Sequence, residues 1–337
     1  MRAHLNSAGT AVFWPWFSGK VRRGFSLTEL LVAMAIFIVL MQILLSTIGQ
    51  SAGVLQRTKN TVGSYQSARL AFNMITRTLG QSRMNVYEDY DNPSQPGRYL
   101  RKSNLHFVID DPQGVDFKQG NAIFFQAALG RTQNNGDYGN LPALLNSVGY
   151  YVTYGKNPNL PLFLRPFDRH RFRLMQFLTP AEEMNVYSSG SVQPKSWFQA
   201  MLSDYSNVIA DNVILVLFWP RLAKEEDPVG SSLTGNYRYD SHTGEGQIPQ
   251  PVTNNQQPPL VQVTMVAIDE TAANRLPDTE TPPSQVADAL QGLFTRSTEE
   301  GFKQDFAELE RRLTAAKISY QTFNSMVSLR ETKWSKQ

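Results

Sequence analysis

The longest uninterrupted apolar pattern in the chain lies near its start. From Phe25 to Ile48 there are 24 residues without Gly or Pro, and Glu29 is the one ionisable residue among them. As an α-helix this stretch is roughly 36 Å long, enough to cross a bilayer core of roughly 30 Å with some tilt. An acid inside such a span is costly and points to a task. Beyond it the pattern turns from continuous to periodic. Leu55, Val62, Tyr65, Ala68, Phe72, Ile75 and Leu79 recur at steps of 7, 3, 3, 4, 3 and 4, one helical stripe. Gly53 and Gly63 weaken that helix locally without ending it. The pattern predicts one helix from about Phe25 to about Arg83, its first part in lipid and its second packed on a domain.

Shorter patterns follow. Tyr87–Gly97 is rich in Asp, Asn, Pro and Gly and reads as a loop. Leu105–Ile109, Ala122–Gln126, Val148–Tyr154, Leu162–Leu164 and Phe172–Leu178 read as short strands, and 155–159 (Gly-Lys-Asn-Pro-Asn) reads as a hairpin connection. Thr179-Pro180 followed by Glu182 and Glu183 predicts a short helix start, and Ser196–Leu202 a second one. Asn212–Trp219 is the most apolar run outside the first helix. With eight residues and Pro220 behind it, it reads as a central strand rather than a span. Residues 221–259 are polar and read as a long mobile loop. Val261–Ile268 alternates as a strand, 284–295 and 299–316 read as helices, and 323–330 as a closing strand. The expected fold is α+β: a long N-terminal transmembrane-plus-stalk helix, then a mostly antiparallel β-sheet domain with inserted helices, built on one main sheet.

Composition changes this picture at the N-terminus. The formal charge is +3, but Arg2, Lys20, Arg22 and Arg23 all precede Phe25 in a segment without acids. Removing them reduces the 32 Lys+Arg to 28, against 29 Asp+Glu, a net of −1. A nucleic-acid partner is therefore not expected from overall charge. Lys20, Arg22 and Arg23 before the apolar span predict a cytoplasmic N-terminus and an outward C-terminal bulk. No cysteine is present, so no disulfide forms. A conventional secretory signal fits poorly, because no small-x-small cleavage site follows the long apolar run.

The ordered string Gly24-Phe25-Ser26-Leu27-Thr28-Glu29-Leu30-Leu31-Val32-Ala33-Met34 resembles the class III signal of type IV pilins and type II secretion pseudopilins. The resemblance implies cleavage by a dedicated prepilin peptidase after Gly24 and methylation of the new N-terminus at Phe25. It further implies retention in the inner membrane lipid and assembly with other pilin-like subunits through the helix, with Glu29 as the register-setting acid. The residues agree with this: Gly24 offers an unhindered backbone, and Phe25 and Glu29 stand at i and i+4. A desolvated carboxylate there would seek a cation, such as a neighbour's amino terminus. The implied division is a leader over 1–24, a membrane half over 25–48, an extracytoplasmic half of the helix over 49–86 and a β-rich domain over 87–337. The segments 211–220, 261–270 and 325–334 are similar to a group of large prepilin-like proteins, the Verru_Chthon cassette protein C family.

No catalytic constellation stands out. His4, His106, His170 and His242 are scattered, and P-loop, nucleophile-elbow and dinucleotide patterns are missing. No metal site and no cofactor is expected. Asp/Asn clusters at 88–92 and 134–138 offer oxygen atoms but no EF-hand order. The basic stretch with Arg165, Arg169, His170, Arg171 and Arg173, near Phe163, Phe167 and Phe172, is conceivable as a phosphate or DNA contact, but the expected reading is a solvated hairpin end with Asp168 as local partner. The expected function is a non-enzymatic minor pseudopilin of a type II secretion or type IV pilus-like filament, anchored by a single pass in the bacterial inner membrane with its C-terminal domain in the periplasm. The alternatives are a minor pilin that binds DNA or a surface, and a membrane-tethered enzyme.

Overall fold

The computed structural model describes residues 26–111, 120–188 and 195–329, with the backbone alone described at 48–62 and 64. The chain divides into two units, Met1–Gln56 and Arg57–Gln337. Among the described residues of the first unit there is one element, the beginning of helix α1 (Leu27–Leu79). The predicted continuation of this helix to Arg83 stops short, because Gly80 and Gln81 turn the chain and Ser82–Arg83 pair as a strand.

Among the described residues, the second unit holds twelve strands. They are β1 (Ser82–Arg83), β2 (Val86–Tyr90), β3 (Tyr99–Ser103), β4 (Val108–Asp110), β5 (Ala122–Ala128), β6 (Leu145–Gly155), β7 (Arg171–Leu178), β8 (Ser206–Asp211), β9 (Val213–Arg221), β10 (Tyr239–Asp240), β11 (Leu260–Ile268) and β12 (Tyr320–Ser328). One main sheet was expected. Two are found, both antiparallel: β10-β4-β5-β6-β7-β8, with β1 also on β5, and a smaller sheet β12-β11-β9. Neither closes into a barrel, and β2 and β3 form a separate hairpin where a loop over 87–97 was expected. The small sheet explains the split. In β11, Val261, Val263, Met265 and Ala267 join one apolar cluster with Ala68, Ala71, Phe72, Ile75 and Leu79 of α1. Val266 and Ile268 join another with helices α5 (Glu270–Arg275), α6 (Ser284–Leu290) and α7 (Glu299–Ala315). Period-2 alternation thus serves two cores, one on each face. The mixed α+β architecture follows.

Helix α1 runs parallel to β12. Tyr65 Oη lies 3.1 Å from Ser319 Oγ, the Phe72 and Phe323 rings lie 5.6 Å apart, and Gly80 reaches Val327. Strand β9 is buried at every position although it is the outer strand of its sheet. Its outer edge is satisfied by Asn121, which precedes β5. The Asn121 amide donates to the carbonyls of Phe218 (2.8 Å) and Tyr237 (3.0 Å) and accepts the Phe218 N–H (2.8 Å). Pro220 was expected to stop this strand, yet β9 continues through it to Arg221. The Phe218 N–H points outward to Asn121, so the missing N–H of Pro220, two residues on, falls on the same outer edge and costs no ladder bond to β11.

Residues 221–259, expected as a mobile polar loop, are irregular but held. Tyr237, Tyr239 and Asn254–Gln257 are buried, β10 pairs with β4, and Arg101 donates to the carbonyls of Asn254, Pro251 and Val252. Buried amides need partners: Asn255 donates to the Arg101 carbonyl of β3, Asn254 and Gln256 donate to the Thr243 and Val252 carbonyls within the segment, and Gln257 accepts the Ser82 hydroxyl of β1. Leu162–Leu164 is turn rather than strand, followed by a 3-10 turn at Arg165–Phe167. Short helical turns occupy Ala181–Glu183, α3 (Ser196–Gln199) and α4 (Leu202–Tyr205), with α2 (Asn135–Tyr138) before them.

Asn121→Ala leaves three backbone groups of the inner region without a partner. Thermal or denaturant unfolding is expected to show a loss of about 2 kcal/mol or more, whereas Gln304→Ala on the exposed face of α7 changes stability by about 0.5 kcal/mol or less.

Candidate functional site

The site begins where the helix begins. Ser26 precedes the first helical residue, and its backbone N–H donates to Glu29 Oε2 at 3.0 Å. Its hydroxyl donates to the same oxygen at 3.1 Å, and the Glu29 N–H lies 3.2 Å from Ser26 Oγ. This is a reciprocal capping box, Ser-x-x-Glu, which satisfies backbone donors that the first helical turn leaves open. The Ser-x-x-Glu spacing from Ser26 to Glu29 is the sequence signature of this cap. The predicted i,i+4 relation of Phe25 to Glu29 involves a residue outside the described ones. Lys20, Arg22, Arg23, Gly24 and Phe25 lie outside the described residues.

From Leu27 to Thr47 the helix is apolar on every face. Leu30, Leu31, Ile36, Phe37, Ile43, Leu44 and Leu45 all remain more than half exposed, and none of this span is buried by the rest of the chain. Its 21 residues reach roughly 32 Å at the α-helical rise. A helix apolar all round belongs in lipid or among other apolar helices.

A second cluster gathers residues that looked scattered in sequence. His106 is buried, its Nε2 lies 2.7 Å from Asp240 Oδ1, and its Nδ1 accepts the Trp197 indole N–H at 3.1 Å. Indole only donates, so the Nε2 proton faces the carboxylate. The His242 ring stacks on His106 at 3.9 Å, and Lys195 bridges Asp110 and Asp240. Burial alone would raise the Asp240 carboxyl, but hydrogen bonds from His106 and the His242 backbone, with Lys195 close by, outweigh it and hold it well below the usual range. Burial and the adjacent His106 hold His242 below the usual imidazole range. The contacting residues are up to 134 positions apart, and no local spacing announces them. The adjacent Ser241 hydroxyl accepts the Phe107 N–H and is committed to the backbone. The arrangement ties β10 and α3 to the residues leading into β4. Among the described residues, no group of three His, Cys, Asp or Glu side chains could hold a metal ion.

The basic stretch is largely neutralised within the fold. Arg169 and His170 meet Asp278, Arg171 meets Glu270, and Arg173 is buried between Asp168 and Asp211. Phe172 is core. The Asp/Asn clusters serve turns: Asp91 accepts the N–H groups of Asn92, Gly97 and Arg98, and Asn134 caps α2.

Residues 19–44 match the family model of the prokaryotic N-terminal methylation motif. No curated protein and no solved structure matches the chain. Motif and apolar helix together support a type IV pilin- or pseudopilin-like subunit with a single-pass membrane anchor. The motif implies processing by a prepilin peptidase and assembly with other pilin subunits.

Because the folded Asp240 carboxyl sits below its unfolded value of about 3.9, its contribution is fully present above that value and is lost progressively as the pH falls below it towards the lower folded value. Thermal unfolding between about pH 2 and pH 6 is expected to show a steep acid loss in the natural chain. Asp240→Asn lowers stability at neutral pH and flattens that acid limb.

Proposed function

We propose that this chain is a prepilin-like subunit, a minor pseudopilin of a type II secretion or type IV pilus-like filament, and that it is not an enzyme. The matched methylation motif running directly into an uncovered apolar helix carries the reading. In the proposed sequence, Lys20, Arg22 and Arg23 keep the leader in the cytoplasm. The peptidase cuts after Gly24, the Phe25 amine is methylated, and the β-rich domain stands on the periplasmic side. The helix then leaves the bilayer to pack among the apolar helices of neighbouring subunits.

The capping box refines the part given to Glu29. Both Ser26 bonds fall on Oε2, and Oε1 makes no bond among the described residues. The cap holds the carboxylate in a fixed direction at the helix start, with one oxygen left for a cation brought by another subunit. A carboxylate in low dielectric gains most from such a partner, which makes the contact a register device rather than a source of general adhesion.

Size and N-terminal sequence in cells with an active prepilin peptidase provide the test. Gly24→Ala is expected to leave the leader attached, and normal maturation of that variant contradicts the processing step. Glu29→Leu is expected to be cleaved normally but to be missing from sheared filaments. Its incorporation at the natural level would remove Glu29 from assembly.

A further inference from the structure

The connection between β6 and β7 carries an apolar tip that the domain leaves bare. Leu162, Phe163 and Phe167 keep 77%, 73% and 82% of their accessible surface, and Leu164 keeps 41%. Single exposed apolar residues are ordinary, but four within six positions form a patch that marks an interaction site. The tip has a fixed shape. Leu164 N–H donates to Pro161 O (2.9 Å) and Phe167 N–H to Leu164 O (3.0 Å), and Pro161 and Pro166 restrict the backbone around these bonds. At its base the Asn159 amide donates to Ser206 O (2.8 Å) and Asn207 Oδ1 (3.0 Å), which ties the tip to β8, one edge of the large sheet. The acids nearby pair with Arg169, His170, Arg171 and Arg173. Arg165 donates to the carbonyls of Leu160 and Pro158, and neither it nor Lys156 has an acidic partner among the described residues.

The opposite edge of the same sheet carries a cavity of about 530 Å³. It opens where Asp111 follows β4, Arg238 precedes β10 and Asn121 precedes β5, with α6 as a further wall. Four strand steps, from β4 to β8, separate it from the base of the tip, roughly 19 Å at the spacing of paired strands. Leu215, Leu217 and Tyr237 form a buried floor, whereas Asp288 and Gln291 at the mouth are exposed. The volume lies in the range that encloses a drug-sized molecule, and so admits two or three bulky side chains. Arg238 is spent on Asp110 and Asp111. Arg312 pairs with Glu308 and meets Asp288 at its main-chain carbonyl, so the Asp288 carboxylate has no ion-pair partner among the described residues.

We propose that the tip of one copy of this chain enters the cavity of a second copy, with Phe163 and Phe167 over Leu215 and Leu217 and Arg165 against Asp288. The two surfaces match as convex against concave, as apolar against apolar and as cation against anion, and every copy supplies one of each. Within a copy the tip stays bare, so it is not spent on its own cavity. Because the two surfaces differ, the contact is head-to-tail and repeats from copy to copy, instead of being shared equally across a two-fold axis. A patch of this extent holds weakly by itself, which suits a contact that fixes register between domains already brought close. Both features lie in the second unit of the chain, and the inference draws on neither the methylation motif nor the anchor helix.

The chain has no cysteine, so introduced thiols are unique. Full-length Phe163→Cys and Leu293→Cys copies, distinguished by tags and mixed in detergent micelles, are oxidised with copper phenanthroline. Leu293 lines the cavity. A disulfide joining 163 of one copy to 293 of the other is expected at several-fold the yield of a mixture of Phe163→Cys with Tyr138→Cys, an exposed position away from the cavity. Adding Arg165→Asp to the first copy is expected to lower that yield, and Asp288→Arg in the second copy to restore it. Ala287→Trp, which fills the cavity from a partly exposed position of α6, is expected to abolish the link while thermal unfolding stays that of the natural chain. A yield no greater than that of the 138 mixture overturns the proposal. So does a link that neither the charge swap nor Ala287→Trp changes, which marks random collision. In a chain carrying both cysteines, a 163–293 disulfide within one copy would place the tip over its own cavity and equally overturn it.

Discussion

Everything in this molecule is subordinate to an apolar helix surface that its own fold does not cover. From Leu27 to Thr47 no side chain is buried by the rest of the protein. At about 25 cal/mol for each Å² withdrawn from water, such a surface cannot stand in solvent. It must be placed in lipid or among like helices. Glu29 marks the edge of that constraint. Its carboxylate is held by Ser26 through Oε2, and Oε1 makes no bond among the described residues.

The second half of the same helix is treated in the opposite way. Ala68, Ala71, Phe72, Ile75 and Leu79 are core residues, and the helix lies along β12 as an added element over one face of the small sheet. Helix α1 thus contributes residues to both units. The other face of the small sheet is closed by α5, α6 and α7, and Asn121 stitches its outer strand to the large sheet. The cluster of His106, Asp240, Lys195 and Trp197 supports the large sheet in the same manner, through groups that are committed to one another.

Continuous and periodic apolar patterns were the legible part. The α1 stripe, the run of β9 and the alternation of β11 are each fixed by which side of the element meets the core, and local residues record that directly. Pro220 misled because its effect depends on which edge of the strand faces a partner, which only the pairing decides. Residues 221–259 misled because Asn254, Gln256 and Gln257 read as solvent-facing. Their burial rests on partners such as Arg101, more than 150 positions away. Leu162–Leu164 read as a strand from its apolar residues, although its prolines and its place beyond the β6–β7 pairing leave it outside any sheet. The site was legible at its start: the motif around Gly24 and the acid at 29 are local features. The Ser26–Glu29 cap is equally local, since both its bonds lie within the first helical turn. The His106 cluster depends on contacts between distant strands, and no spacing rule reaches it.

The central claim is that this chain is processed at Gly24 and enters a filament through the helix that follows. Mass spectrometry of the N-terminal peptide, taken from the protein as it accumulates in cells with a prepilin peptidase, tests it most directly. The account predicts a peptide that begins at Phe25 and carries one methyl group on its amine. A peptide that retains Lys20–Gly24, or one that begins elsewhere in the helix, would contradict it.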